Sequence, residues 1–137
     1  MELHCRIVLG DIMNIKAEVL VRAYNEAKDS TVRRGKIGAV LFTTSGRVLC
    51  SAHNVQVDMP NKYTIHAEEY LLARAFRLKA LSRFRSSIHG ILVVRYRLED
   101  GGLGMAMPCP KCHKLLQATG LRVYFSNKSG DIDELKS

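Results

Sequence analysis

Residues 88–98 read IHGILVVRYRL, a nearly continuous apolar run rich in β-branched side chains. A strand with one wet face alternates apolar and polar residues, so a strand without that alternation has to be covered on both faces. After the loop EDGGLG comes a short helical stretch from about Pro110 to Ala118, with Gly120 placed to close it, and then the apolar segment RVYFS, residues 122–126. Strand, helix and strand in that order form a right-handed crossover between parallel strands. The other face of the sheet needs a helix from elsewhere in the chain.

The first half supplies it. In IKAEVLVRAYNEA, residues 15–27, Ile15, Val19, Ala23 and Tyr24 recur at helical spacing, and Asn14 is a suitable cap. IGAVLFTT, the turn SGR at residues 45–47, and VLCSAH then read as a β-hairpin. A helix from about His66 to Leu78 buries Leu71, Leu72 and Ala75. The element order α-β-β-α-β-α-β predicts a three-layer α/β/α fold whose mixed sheet joins an antiparallel hairpin to parallel strands. With 137 residues and no repeat, low-complexity tract or Pro/Gly linker, residues 1–137 are expected to form a single domain.

No apolar run approaches the roughly 20 residues of a membrane helix, so no membrane partner is expected. The N-terminal MELHCRIVLGDI is too short, and acidic too early, for a secretory signal, which makes a cytoplasmic location the expectation. The net charge of +8 favours polyanions or phosphorylated small molecules as partners. Much of the excess lies in RAFRLKALSRFR, residues 74–85, with a smaller cluster at Arg33, Arg34 and Lys36. Residues 74–85 read either as a solvated helix face or as a contact for single-stranded nucleic acid. Sparse aromatics and the lack of tryptophan argue against an extended base-stacking platform.

Of four cysteines, Cys109 and Cys112 form a Cys-x-x-Cys pair, while Cys5 and Cys50 stand in apolar surroundings and read as small buried hydrophobes. Without a secretory signal, such a pair is a metal or redox motif. A redox pair is expected behind the first strand of a βαβ unit, whereas this one follows the third strand. No second pair exists to complete a structural zinc knuckle. At a helix N-terminus the thiolates are favoured, but two thiolates still need a third ligand, and a catalytic zinc site keeps its fourth position open. His66 opens the preceding helix. Consecutive crossovers that lay two helices on one sheet face bring their N-termini together, so His66, Cys109 and Cys112 can reach one zinc at about 2.0–2.3 Å. Glu68, two residues further on, can reach the open position without being a ligand.

The combination of His-x-Glu at 66–68 with Pro-Cys-x-x-Cys at 108–112 resembles the zinc-dependent cytidine/deoxycytidylate deaminase superfamily, and residues 14–127 follow it in element order. Small tetrameric cytidine deaminases usually read Pro-Cys-Gly-x-Cys-Arg-Gln. Here Pro-Cys-Pro-Lys-Cys-His-Lys-Leu-Leu, followed by ATGLRVYFS, is similar to the deoxycytidylate branch, a layout shared with tRNA adenosine deaminases. The resemblance implies one zinc per chain, Glu68 as catalytic proton carrier, and hydrolytic deamination of a cytosine nucleotide such as dCMP, with release of ammonia. It also implies substrate contacts from Asn54, the backbone of Ala67, a carbonyl near Pro108 and a pocket wall at Tyr124 or Phe125, the other packing in the core, and assembly as a homo-oligomer. Arg95 and Arg97, on one side of their strand, are candidates to meet a phosphate; His53 and His113 receive no role.

Two alternatives stand beside this reading. One is a deaminase acting on cytosine or adenine within single-stranded DNA or RNA/tRNA. The other is a catalytically silent, zinc-stabilised nucleic-acid-binding module, against which the presence of Glu68 speaks. The chain departs from the family pattern in a longer interval between Glu68 and Cys109. Its polar tail after Asn127 leads to the expectation that the family's last strand and helices are abbreviated or absent.

Overall fold

A computed structural model describes residues 15–136; Asn14 and Cys5 lie outside them. Helix α1 runs Ala17–Lys28, with Lys16 at its N-cap. Strands β1 (Lys36–Thr43) and β2 (Val48–His53) form the expected hairpin. A ribbon of β3 (Val55–Val57) and β4 (Tyr63–Ile65) then leads into helix α2 (Ala67–Arg77) and the single turn α3 (Ala80–Arg83). Strand β5 (Ile88–Tyr96), the two-residue β6 (Leu103–Gly104), helix α4 (Pro110–Gln117), β7 (Arg122–Ser126) and β8 (Ile132–Glu134) complete the described residues.

The main sheet has the order β2-β1-β5-β7-β8. Strand β5 pairs antiparallel with β1 along its whole length and parallel with β7, from Gly90 opposite Arg122 to Val93 opposite Phe125. This is the mixed sheet that the sequence pattern predicts. The period-2 geometry of the strands explains why β5 shows no alternation. Leu92 and Val94 join Val40, Phe42 and Tyr124 against Val19, Ala23 and Tyr24 of α1. Their neighbours Ile91 and Val93 join Ala39 and Leu41 against Leu71 and Ala75 of α2 and Leu116 of α4. Cys50 belongs to this second cluster, and burial pushes its thiol up to about 11.

The tail carries one further short strand. Asn127 Oδ1 accepts hydrogen bonds from the backbone N–H groups of Ser129 (2.9 Å) and Asp131 (3.0 Å), and Gly130 takes φ +83°. This turn reverses the chain into β8, antiparallel to β7. Ile132 enters the α1-side core, and Glu134 holds Arg122 at 3.0 Å through both carboxylate oxygens. A short strand of three residues therefore follows β7, and the segment Asn-Lys-Ser-Gly-Asp carries the turn signal for it. The β3–β4 ribbon was also not expected, because its short strands bury no continuous face. Among the described residues, no helix is long and apolar enough to cross a membrane.

One contact sets how closely α1 approaches the sheet. A Cβ on Gly38 of β1 would stand 2.3 Å from the carbonyl oxygen of Ala23 and 2.5 Å from the backbone nitrogen of Ala27. Both obstacles are helix backbone and cannot rotate away. Gly38→Ala is therefore expected to destabilise the protein by about 3 kcal/mol, the upper end of ordinary overpacking costs. Urea denaturation measures this; an unchanged midpoint would contradict the contact.

Candidate active site

Both α2 and α4 precede a strand and run back along it, and those strands, β5 and β7, are parallel. The two helix N-termini consequently meet at the carboxyl end of the parallel pair, the usual location of sites in α/β sheets. His66 is the N-cap of α2, in extended conformation at φ −70°, ψ 148°. Cys109 is the N-cap of α4, also extended, with Pro110 preorganising the first turn and Cys112 on it. His66 Nδ1 lies 3.2 Å from Cys112 Sγ and 3.8 Å from Cys109 Sγ. All three donor atoms fall within 4.8 Å of one another.

That geometry fits a zinc ion. Tetrahedral coordination with bonds of about 2.0 Å to nitrogen and 2.3 Å to sulfur sets N···S separations of about 3.5 Å, between the two values observed. The donor set of one imidazole and two thiols is a zinc set. Burial pushes the Cys112 thiol far above its ordinary range, and the charges of Glu68 and Cys109 push it further, so the cluster favours a cation among its members.

Glu68 sits one residue inside α2 and is 6% exposed. Burial raises its carboxyl above the usual carboxylate range, opposed by a hydrogen bond from its own backbone N–H and by His66. It lines a depression of about 400 Å³ together with His66, Ala67, Cys109, Asn54 and Thr64. Glu69, which the sequence reading overlooked, ties the two helix ends together. One of its oxygens accepts the His66 backbone N–H at 3.2 Å, and the other meets Lys111 Nζ at 3.0 Å. The spacing of three residues between N-cap and glutamate is the capping-box signal that could have revealed it.

The remaining expected residues divide. Ala67 is buried and borders the depression. Asn54 also borders it, but its amide serves the protein: Nδ2 donates to the Gly35 carbonyl at 2.7 Å and Oδ1 accepts the Ile37 N–H at 3.0 Å. Pro108 is buried between Met107 and Cys109, both of which line the depression. Tyr124 is not a wall of this site. It lies on the α1 face of the sheet, fully buried, with its ring stacked on His89 and its hydroxyl 2.9 Å from His89 Nε2. Strand alternation sends Tyr124 one way and Phe125 the other. His53 holds Glu26 at 2.7 Å. Arg97 is bound to Asp100 through two hydrogen bonds, of 3.1 and 2.8 Å.

The basic segment 74–85 is not part of the depression. Arg74 donates to the Ser51 carbonyl at 2.6 Å and stacks over Tyr70, and Arg83 lies over Phe84.

Residues 13–127 match the family model described as the cytidine and deoxycytidylate deaminase zinc-binding region. The chain belongs to that family. As a cytidine and deoxycytidylate deaminase family member it is a zinc-dependent hydrolytic deaminase of cytosine nucleotides in the broad sense, and the His66–Cys109–Cys112 cluster can hold the metal. Solved structures with the same fold include a cytidine deaminase from Burkholderia pseudomallei, with TM-score 0.63 and 22% identity over 87% of this chain and 90% of that one. A dCMP deaminase from the cyanophage S-TIM5 aligns with TM-score 0.55 and 22% identity, over 84% of this chain and 87% of that one. A cytidine deaminase from Mycobacterium leprae aligns with TM-score 0.53 and 18% identity, over 85% and 90%. No curated protein matches the sequence.

Proposed function

We propose that this deaminase converts a free cytosine nucleotide of the dCMP type to the uracil form, with His66, Cys109 and Cys112 as metal ligands and Glu68 as the proton carrier. The observation that carries the reading is a buried carboxylate facing the same small depression as a His/Cys/Cys donor cluster. When bound, zinc supplies the Lewis acidity that makes water a nucleophile near neutral pH.

The rest is the work of the protein. Glu68 takes a proton from the attacking water and delivers it to ring N3, so that addition at C4 proceeds without charge building on the base. The same carboxyl carries the second proton of that water to the departing amino group. The products are the uracil base and ammonia. Ala67, at the first turn of α2, would offer its backbone to the pyrimidine edge, and a carbonyl near Pro108, in the segment that precedes α4, would meet it from the other side. Glu69 and Lys111 hold the two helix ends, and with them His66 and Cys109, in register.

An ammonia-release assay across dCMP, dCTP, cytidine, deoxycytidine, adenosine, guanine and short single-stranded DNA and RNA tests the reading. Turnover is expected on the free cytosine compounds, with dCMP the best of them. Ammonia from adenosine or an oligonucleotide alone would overturn it. The polynucleotide alternative draws no support from the site, because no residue of the basic segment 74–85 lines the depression.

A further inference from the structure

The end of α2 farthest from the metal cluster holds two large apolar side chains out in water. Phe76 is 83% exposed, and Leu78, at the helix C-cap, is 55% exposed. A single exposed apolar residue is ordinary, but these two stand together among cations. Arg77 and Lys79 flank Leu78, and Arg83 and Arg85 follow from α3 and the turn after it; all four are exposed. Phe84 draws in a fifth cation. The guanidinium of Arg47 lies 5.3 Å from the centre of its ring and that of Arg83 5.4 Å, so the β1–β2 turn joins the same surface.

The sequence has no acidic residue between Asp29 and Asp58 or between Glu69 and Glu99, the two stretches that build this surface. Among the described residues, Arg47, Arg77, Lys79, Arg83 and Arg85 make no ion pair, whereas Arg22, Arg97, Lys111 and Arg122 all do. The surface is also held in shape. The Thr44 N–H donates to the Ser87 carbonyl at 3.0 Å, which ties the β1–β2 turn to the loop after α3, and the Ser87 N–H donates to the Phe84 carbonyl at 2.8 Å. Lys79, at φ 54°, turns the chain sharply from α2 into α3. Positive charge and apolar side chains are thus presented together on a fixed frame, which lowers the entropic cost of using them.

We infer that this surface docks the protein peripherally on an anionic lipid bilayer, with Phe76 and Leu78 entering the headgroup layer and the five cations meeting the negative lipids. Phe and Leu flanked by Lys and Arg are the side chains that hold a peripheral protein at a charged lipid interface. The long basic side chains keep their heads at the headgroups while their stems follow the apolar residues inward. A peripheral contact of this kind needs no spanning helix. Single-stranded nucleic acid fits the surface less well. A strand runs in a basic groove and stacks its bases on aromatic rings. None of these residues lines the active-site depression or the other three depressions of the surface, Phe84 is already covered by guanidiniums, and Leu78 offers no ring. The eleven residues of α2 put about 16 Å between this end and His66, so docking leaves the mouth of the active site in water.

The test is co-sedimentation of the full-length, zinc-loaded protein with vesicles, which does not depend on the substrate or on turnover. Vesicles of phosphatidylcholine and phosphatidylserine in equal parts are expected to carry the protein down, and phosphatidylcholine alone to bind it at least about tenfold more weakly. Salt should weaken the binding by screening the cations. The double variant Phe76→Ser, Leu78→Ser is expected to lose about tenfold or more in affinity for the phosphatidylserine vesicles. Arg77→Gln and Lys79→Gln should each cost about fivefold. Lys128→Gln, on the β7–β8 turn, removes the same charge and should change nothing, which separates a local surface from general attraction. All these side chains are exposed, so the thermal midpoint of each variant should equal that of the native protein. Failure of the native protein to bind the phosphatidylserine vesicles would overturn the inference, as would undiminished binding by the Phe76→Ser, Leu78→Ser variant. Binding of a single-stranded DNA oligonucleotide without any binding of vesicles would overturn it too, and would assign the surface to nucleic acid.

Discussion

Glu68→Ala is expected to retain zinc and the fold while ammonia release falls by about 10⁴-fold, the upper end of what a positioned acid–base group contributes. The upper end applies because one carboxyl serves in succession at N3 and at the leaving amine, so its loss removes two transfers. The geometry also says what the variant keeps. Glu68 is not among the three clustered donors, so zinc content should remain that of the native protein. Its carboxyl takes a hydrogen bond from its own backbone N–H, and no side chain among the described residues bonds it, so the substitution breaks no tertiary link. Glu68→Gln is the companion variant, since it preserves volume and hydrogen bonding but cannot carry a proton. Metal analysis, thermal unfolding and ammonia release on the same samples test this together. Full activity in either variant would remove Glu68 from the mechanism, and a collapsed fold in both would make it a structural residue.

What could be read from the sequence followed from periodicity and spacing. The unbroken apolar run in β5 required cover on both faces, and the strand–helix–strand order after it required a parallel crossover. Those two requirements bring the starts of α2 and α4 together, so the meeting of His66 with Cys109 and Cys112 follows from topology before any distance is known. Residues whose role depends on a face or a partner were harder to read. Tyr124 and Phe125 are neighbours of similar size, and only the register of β7 against β5 decides which faces α1 and which faces α2 and α4. Arg34 and Arg97 look alike in one dimension. Asp100, three residues away, occupies one of them, and the loop held by Asn54 presents the other to the cleft. The β8 strand escaped notice because a short strand pairing with one neighbour needs only Ile132 to be apolar. Its turn chemistry was visible all the same.

The metal cluster gives the second large effect. Cys112 is fully buried on the first turn of α4, with Glu68, Cys109 and Glu69 each disfavouring its ionised form. A thiolate there needs a cation, and the cation needs both thiolates and the imidazole. In Cys112→Ser the volume is nearly conserved, so the surrounding packing is disturbed little, but a hard hydroxyl replaces a soft sulfur donor. Zinc content is expected to fall from about one ion per chain to below about a tenth, with ammonia release lost. Metal affinity at such a site is also folding energy, because the unfolded chain does not present the ligands together. Thermal unfolding of Cys112→Ser should therefore coincide with that of native protein stripped by a chelator, and lie below that of the zinc-loaded form. Cys109→Ala should behave in the same way, since its sulfur completes the triangle from the N-cap position. Retention of a full zinc complement in both variants would show that the ion binds elsewhere. A stripped native protein as stable as the loaded one would show that the cluster holds the two helix ends together without it, through Glu69 and Lys111 alone.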